Sequence, residues 1–188
     1  AALLPALLAV LTAFARIFIV LLFVRAGLGD PNLPPTFVVA GLAVLLAWVS
    51  MGPVADKIGS QVLSPLWSGK LTVQAAAARC QSLLRDYMRR RTDPADLAAL
   101  QTAAAGKASP GSFQVLAAAF ALSELRQAFI IGFILYIPSV VVDLVVGLIL
   151  AMLGPMTVPH QVFALAAKVA FFIAIDGWRL IFQGLARA

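Results

Sequence analysis

Residues 154–159 read Gly-Pro-Met-Thr-Val-Pro and separate two strongly apolar segments, Phe113 to Leu153 and Gln161 to Phe182. Proline lacks the backbone N–H that an α-helix needs, and these prolines and the glycine mark a turn. One helix therefore cannot run directly into the next, and the chain is predicted to fold back here. We refer to residues 154–160 as the C-terminal turn, and we expect the two segments to form an antiparallel hairpin.

The chain as a whole is too apolar for an ordinary soluble domain. Of its 188 residues, 62% are hydrophobic and 12% are charged, and the mean hydropathy is +1.00. Two further apolar stretches, Ala1 to Val24 and Leu33 to Val54, each contain the roughly 20 residues that span a bilayer as a helix. A run rich in glycine and proline joins them, so they are also predicted to pair as a hairpin. These features predict a membrane-embedded protein.

The predicted fold class is all-α, with two N-terminal helices, a broken long helix, a final helix and a small helical soluble module. The segment Phe113 to Leu153 is about twice as long as one span requires. Pro138 lies near its middle and is expected to kink or break it. By composition the chain divides into an N-terminal helical hairpin (1–55), a soluble helical module (56–112) and a C-terminal broken-helix hairpin (113–188).

The soluble module holds eight basic and four acidic residues. Ala75 to Met88 has helical spacing, and the arginine run 89–91 follows it, where cations favour a helix C-terminus. Asp93 and Pro94 predict a new helix, with the aspartate as N-cap and the proline at the first helical position. The arginine run fits contact with lipid headgroups or an acidic partner, but a solvated helix end is the simpler interpretation.

Charged residues inside the apolar segments are costly in a membrane unless they are paired or functional. At about 1.5 Å per helical residue, Asp143 and Lys168 both lie about 14 to 16 Å from the C-terminal turn, so a hairpin brings them level. They are interpreted as a buried ion pair that fixes helix register or, less favoured, as a proton or ion relay.

Further charges in apolar surroundings are expected to be buried or interfacial. Glu124 and Arg126 are two residues apart and face different directions, so each needs a partner elsewhere, for which neighbouring subunits are candidates. Asp176 and Arg179 are three residues apart and are expected to pair on their own helix. The full set is Arg16, Glu124, Arg126, Asp176 and Arg179.

The sequence argues against several classes of function. The net charge of +6 suits anionic lipid or acidic protein, but the basic residues do not alternate with aromatic ones as in nucleic-acid-binding proteins. His160 has no second ligand at metal-binding spacing, and Cys80 is the only cysteine. No phosphate loop, zinc motif or catalytic triad pattern is present. We therefore expect neither enzymatic activity nor a cofactor, a metal or a nucleic-acid partner.

Several stretches together resemble the FliP/SctR family of type III secretion export-gate proteins, with the flagellar form favoured. The resemblance covers essentially the whole chain, in order and spacing. The residues that carry it are 14–17, 25–29, Pro34-Pro35, Met51-Gly52-Pro53-Val54, Leu84-Arg85-Asp86-Tyr87-Met88, 123–129, Ile137-Pro138, Val142-Asp143-Leu144-Val145, 153–159 and Asp176-Gly177-Trp178. Family members are usually made with a signal peptide and a longer N-terminal region, so this chain is expected to be a mature or partial form.

The resemblance implies a pore-forming core subunit that passes unfolded flagellar or virulence proteins across the bacterial inner membrane. It implies a homo-oligomer of five subunits, joined by two smaller export-gate partner proteins and the export-apparatus ring in the basal body. It also implies that residues 56–112 face the periplasm, although a basic loop is ordinarily cytoplasmic.

The resemblance also assigns roles to residues in the last hairpin. It implies that the C-terminal turn is a gate loop whose methionines form a gasket closing the pore. In this chain, Met156 matches the methionine pattern of the family, whereas Pro155 and Thr157 differ from it. The charged pair of the family corresponds to Asp143 and Lys168. The alternative function is a small multi-spanning ion or proton transporter that uses the same two residues, but the chain shows no repeated halves.

Overall fold

The computed structural model describes residues 12–30, 33–105, 109, 111–154 and 159–187. The helices are α1 (Phe14–Leu28), α2 (Thr36–Ile58), α3 (Ser64–Trp67), α4 (Val73–Arg91), α5 (Pro94–Ala103), α6 (Phe113–Met152), α7 (His160–Ala174) and α8 (Gly177–Arg187). A π-helical turn, Gly59–Leu63, connects α2 to α3. The described residues contain no strand, so the all-α prediction is confirmed.

Two helical runs are long and apolar enough to cross a membrane, as judged by length and composition among the described residues. They are Thr36–Trp67, which comprises α2, the π-helical turn and α3, and Phe113–Met152, which is α6. Helix α7 is apolar but shorter. Little of the most apolar 18-residue stretch of each run is buried within the chain, so the surface of these stretches is available for lipid or for other proteins.

Two details of the helices differ from the sequence prediction. Helix α6 continues for 40 residues through Pro138, so of the expected kink or break the break is wrong, and the kink stays a prediction. The predicted final helix is instead interrupted at Ile175 and Asp176, where α7 ends and α8 begins. Asp176 has a φ of 51°, in the left-handed region, and Gly177 follows it where a Cβ atom would collide with the Phe172 ring.

The chain forms two compact units. The first comprises residues 12–15 and Leu45–Arg126, and the second comprises Arg16–Val44 and residues 127–187. These units cut across the three regions that composition predicts, because α2 and α6 each contribute to both. The three-part division stays a prediction about the order of segments along the chain.

The first unit is built around an aromatic core. Tyr87 and Phe120 lie with ring centroids 5.8 Å apart, and the core residues Tyr87, Met88, Leu116 and Phe120 are all buried. Thr72 caps α4 by accepting a hydrogen bond from the Ala75 N–H. The predicted start of α5 is confirmed, since the Asp93 side chain accepts from the Ala95 N–H and Pro94 is the first helical residue.

In the second unit, α1 packs against the later part of α6 through glycines. A Cβ atom on Gly27 would lie 2.7 Å from Ser139 Oγ, and one on Gly132 would collide with the Phe23 ring. Phe23 also meets Phe129 edge to face, with ring centroids 5.5 Å apart. The two helices therefore approach closely at positions where only the smallest residue fits.

Candidate functional site

The charged pair of the last hairpin lies in the second unit, between α6 and α7. Lys168 Nζ is 2.8 Å from Asp143 Oδ2. The Lys168 side chain is 6% exposed, whereas that of Asp143 is 38% exposed. The structure therefore brings together the two residues to which the sequence assigns equal depth, and the buried amine has a carboxylate to neutralise it.

Residues from the end of α1 and the start of α7 surround this pair. Gly29 has a φ of +82°, and a Cβ atom there would lie 3.1 Å from Lys168 Nζ. His160 Nε2 lies 3.3 Å from the backbone oxygen of Asp143, which positions the first residue of α7 on α6. A cavity of about 610 Å³ opens here, and Asp30, Asp143, His160 and Lys168 supply its ionisable lining.

A second polar contact fastens α1 to α6. Arg16 is 1% exposed, and its Nη1 donates to Gln127 Oε1 at 3.0 Å. Both residues belong to the second unit. A neutral amide can satisfy part of a buried guanidinium, which otherwise requires several hydrogen bonds. The sequence indicates Arg16 as a buried charge but does not indicate Gln127, although an arginine in an apolar helix predicts a polar partner.

The first unit contains a third polar group, which we call the α5 clasp. Ser123 Oγ accepts from the Asp93 N–H at 2.9 Å and donates to Asp96 Oδ2 at 2.8 Å. Arg126 Nη2 bonds to Asp96 Oδ1, and Arg126 Nη1 lies 3.7 Å from Asp93 Oδ2. Asp96 is 1% exposed, so its carboxylate depends on these two partners from α6.

The partner of Arg126 thus comes from the same chain, which corrects the expectation that a neighbouring subunit would supply it. Its side chain is 49% exposed, so it is not a buried charge of the isolated chain. Glu124, two residues earlier, is 1% exposed and fits the expectation of a buried charge.

Asp176 and Arg179 are both exposed. They do not share a helix as expected, because Asp176 precedes α8 in a turn. The Arg179 N–H donates to the Asp176 backbone oxygen at 2.9 Å, but no ion pair joins the two side chains in the described structure. This pair is therefore not buried within the described part of the chain, and its buried or interfacial role stays a prediction.

Comparison with known proteins identifies the family of this chain. The FliP family model matches residues 1–185. Flagellar biosynthetic protein FliP of Bacillus subtilis is 35% identical over 186 residues, covering 96% of this chain and 84% of its own length. The proteins of the same name from Pectobacterium carotovorum and Aquifex aeolicus are 36% and 34% identical, covering 98% and 99% of this chain and 73% and 80% of their own.

The chain belongs to the FliP family. The resemblance predicted from the sequence is confirmed, and these FliP relatives carry the flagellar name. The predicted gasket residues Met156, Pro155 and Thr157 lie outside the described residues. The described part on either side consists of Gly154, which has a φ of +89° after α6, and Pro159, the N-cap residue of α7.

The α5 clasp of this FliP-family chain was not predicted from its sequence. The signals were present, because Asp96 stands three residues after the N-cap Asp93, and Ser123 and Arg126 are spaced to lie on one side of a helix. What the sequence could not supply is the packing of α5 beside residues 123–126. No group of three or more possible metal ligands occurs in the part of the chain that the structure describes.

Proposed function

We propose that this FliP-family chain is the pore-forming core subunit of a flagellar type III protein export gate in the inner membrane. Membership of the FliP family supports a role in the flagellar export apparatus. The helices that are long enough to span a membrane support an inner-membrane location. Unfolded flagellar proteins are the proposed cargo.

The observation that carries the pore-forming role is the exposed surface of α6. None of the residues in its most apolar 18-residue stretch is buried within the chain. The large exposed residues include Phe129, Ile130, Phe133, Ile134, Leu144, Leu148 and Met152. An apolar surface of this length needs lipid or other subunits, whereas Asp143, Lys168 and Arg126 are already paired within the chain. An exposed apolar surface together with internally paired charges suits a subunit that packs against copies of itself.

The proposed assembly contains five copies of this chain, two smaller export-gate partner proteins and the export-apparatus ring. In it, the C-terminal turns surround the substrate path, and Met156 closes it between export events. A thioether side chain is flexible and apolar, so it can adapt to a passing polypeptide and then repack. Pro155 and Thr157 flank it in place of further methionines, and the ion pair between Asp143 and Lys168 holds the helices that carry the turn.

Site-specific photocross-linking of an arrested substrate tests this function. A photoreactive amino acid at position 156 is expected to cross-link to a substrate that has been stalled during export in cells. The same group at position 57, an exposed lysine of the first unit, serves as the control. Cross-linking at 57 but not at 156 would contradict a gate at the C-terminal turn. Proton or ion flux through the purified protein in liposomes, without substrate cross-linking, would favour the transporter alternative.

A further inference from the structure

Helix α4 carries a strongly basic surface, which we call the α4 basic face. Its exposed residues are Arg79, Arg85, Arg89 and Arg90. Successive residues are about 100° apart around a helix, so Arg79 and Arg90 point in nearly the same direction. The buried residues of α4 are Ala76, Tyr87 and Met88, of which Tyr87 and Met88 belong to the core of the first unit. By the same spacing, Arg85 and Arg89 lie about 160° from Tyr87 and point away from that core, whereas Arg79 and Arg90 lie about 60 to 80° from Tyr87, at the edge of the exposed side.

The charges of these arginines are not neutralised within the described part of the first unit. Arg91 belongs to the inner side, because its guanidinium carbon lies 5.1 Å from the centre of the Tyr87 ring. Arg85 donates to the backbone oxygen of Gly111 at 3.4 Å, which leaves its charge unneutralised. In the described residues no ion pair joins the α4 basic face to a carboxylate, and Asp86 is its one acidic residue. The face keeps a net charge of about three.

A second copy of the chain offers no acidic patch for this face. Four of the eight acidic residues are paired or buried, namely Asp93, Asp96, Glu124 and Asp143. Asp86 lies in the basic face itself, and Asp30 is half-buried with an interaction of its own. The remaining acidic residues are Asp56 and Asp176. They belong to different units, so neither unit offers a cluster of free carboxylates. The partner must therefore bring its own negative charge.

The surroundings of α4 favour a lipid surface as that partner. The helical run Thr36–Trp67, which contains one of the two membrane-length apolar stretches, ends at Trp67, which is 83% exposed, and the exposed Lys70 follows it. A tryptophan and a lysine at the end of an apolar helix are typical of the membrane–water boundary. Val73, the first residue of α4, is 75% exposed. Helix α4 thus begins six residues after Trp67, and Arg79, the first arginine of its basic face, follows six residues after Val73.

We propose that the α4 basic face binds the phosphate headgroups of anionic phospholipids at the membrane surface. Clustered basic side chains next to a membrane-spanning segment attract anionic lipids through their charge. Trp67 and Val73 provide the apolar contact beside it. This surface is separate from the substrate path proposed above and does not depend on it.

Native mass spectrometry of the full chain tests this surface. The protein is released from mixed micelles of phosphatidylcholine and phosphatidylglycerol, and the two lipids that stay bound are compared. The wild-type chain is expected to retain phosphatidylglycerol preferentially. The variant R89Q/R90Q should lose this preference by about fivefold or more, since each arginine contributes to headgroup attraction. The matched control K57Q/R179Q removes the same charge from exposed positions elsewhere and should keep the preference.

Two further measurements make the result decisive. R89K/R90K should bind like the wild type, because attraction by charge does not require the guanidinium shape. Added salt should weaken the wild-type preference, a test that needs no variant. The proposal is overturned if the wild type shows no preference, if both double glutamine variants lose it equally, or if the face cross-links to an acidic protein while retaining no anionic lipid.

Discussion

The ion pair between Asp143 and Lys168 is the residue-scale feature that the sequence indicates most clearly. The rise of a helix is constant, so counting residues from a turn gives depth without any knowledge of packing. Gly29, where an added Cβ atom would lie 3.1 Å from Lys168 Nζ, comes from the end of α1, outside the last hairpin. No count along the last hairpin could have found it, because its position depends on how α1 packs.

Asp143→Ala should leave the Lys168 amine buried without its carboxylate. We expect a loss of about 1–3 kcal/mol in the free energy of unfolding, below the full value for a buried pair because Asp143 is partly exposed. Thermal unfolding in detergent measures this loss. The reciprocal exchange D143K/K168D should regain part of the stability and of flagellar export, and no regain in either would argue against direct pairing.

Gly29→Ala should also destabilise the second unit, by about 1–2 kcal/mol. Alanine disfavours the φ of +82°, and its methyl group would press on Lys168 Nζ. Gly41→Ala is the matched control, because a Cβ atom added at Gly41 inside α2 would meet no heavy atom within 4 Å. The control should be neutral or slightly stabilising. Equal unfolding temperatures for both variants would refute the role assigned to Gly29.

At the scale of helices, the sequence indicates the number of apolar segments better than their interruptions. A proline in an apolar helix removes one hydrogen bond, and long membrane-type helices tolerate this loss, so α6 passes through Pro138. The break between α7 and α8 falls instead at Asp176-Gly177, a dipeptide typical of turns. The sequence did not predict this break, because the residues on both sides of the dipeptide are apolar and together have the pattern of one continuous helix.

The α5 clasp makes a prediction about the start of one helix. Ser123→Ala removes the acceptor for the Asp93 N–H and a donor to the buried Asp96 carboxylate, at a cost of about 1–3 kcal/mol. Hydrogen exchange should therefore accelerate at residues 93–97. Ser82→Ala, which removes only an exposed hydrogen bond to the Arg79 backbone oxygen, is the control. Unchanged exchange at 93–97 in the Ser123 variant would show that the clasp does not hold α5.

At the scale of the whole molecule, composition predicts a membrane-embedded protein because its apolar content distinguishes it from soluble domains, and apolar segments of roughly 20 residues predict the all-α class. The two packing units were not predictable in this way. They form where distant segments meet, as when residues 45–58 of α2 join the core around Tyr87 and Phe120. The charges of α6 follow the same pattern, since Arg126 and Asp143 are paired within the chain while the large apolar surface of this helix stays exposed.

The mass of the purified particle tests the central claim most directly, because an export-gate core subunit must assemble. The full chain, which has a mass of 19.8 kDa, is purified in mild detergent alone and with its two smaller partner proteins, and native mass spectrometry gives the particle mass. We predict a stable particle containing several copies, with five as the expected number. Monomers under every condition, with and without the partners, would contradict the account.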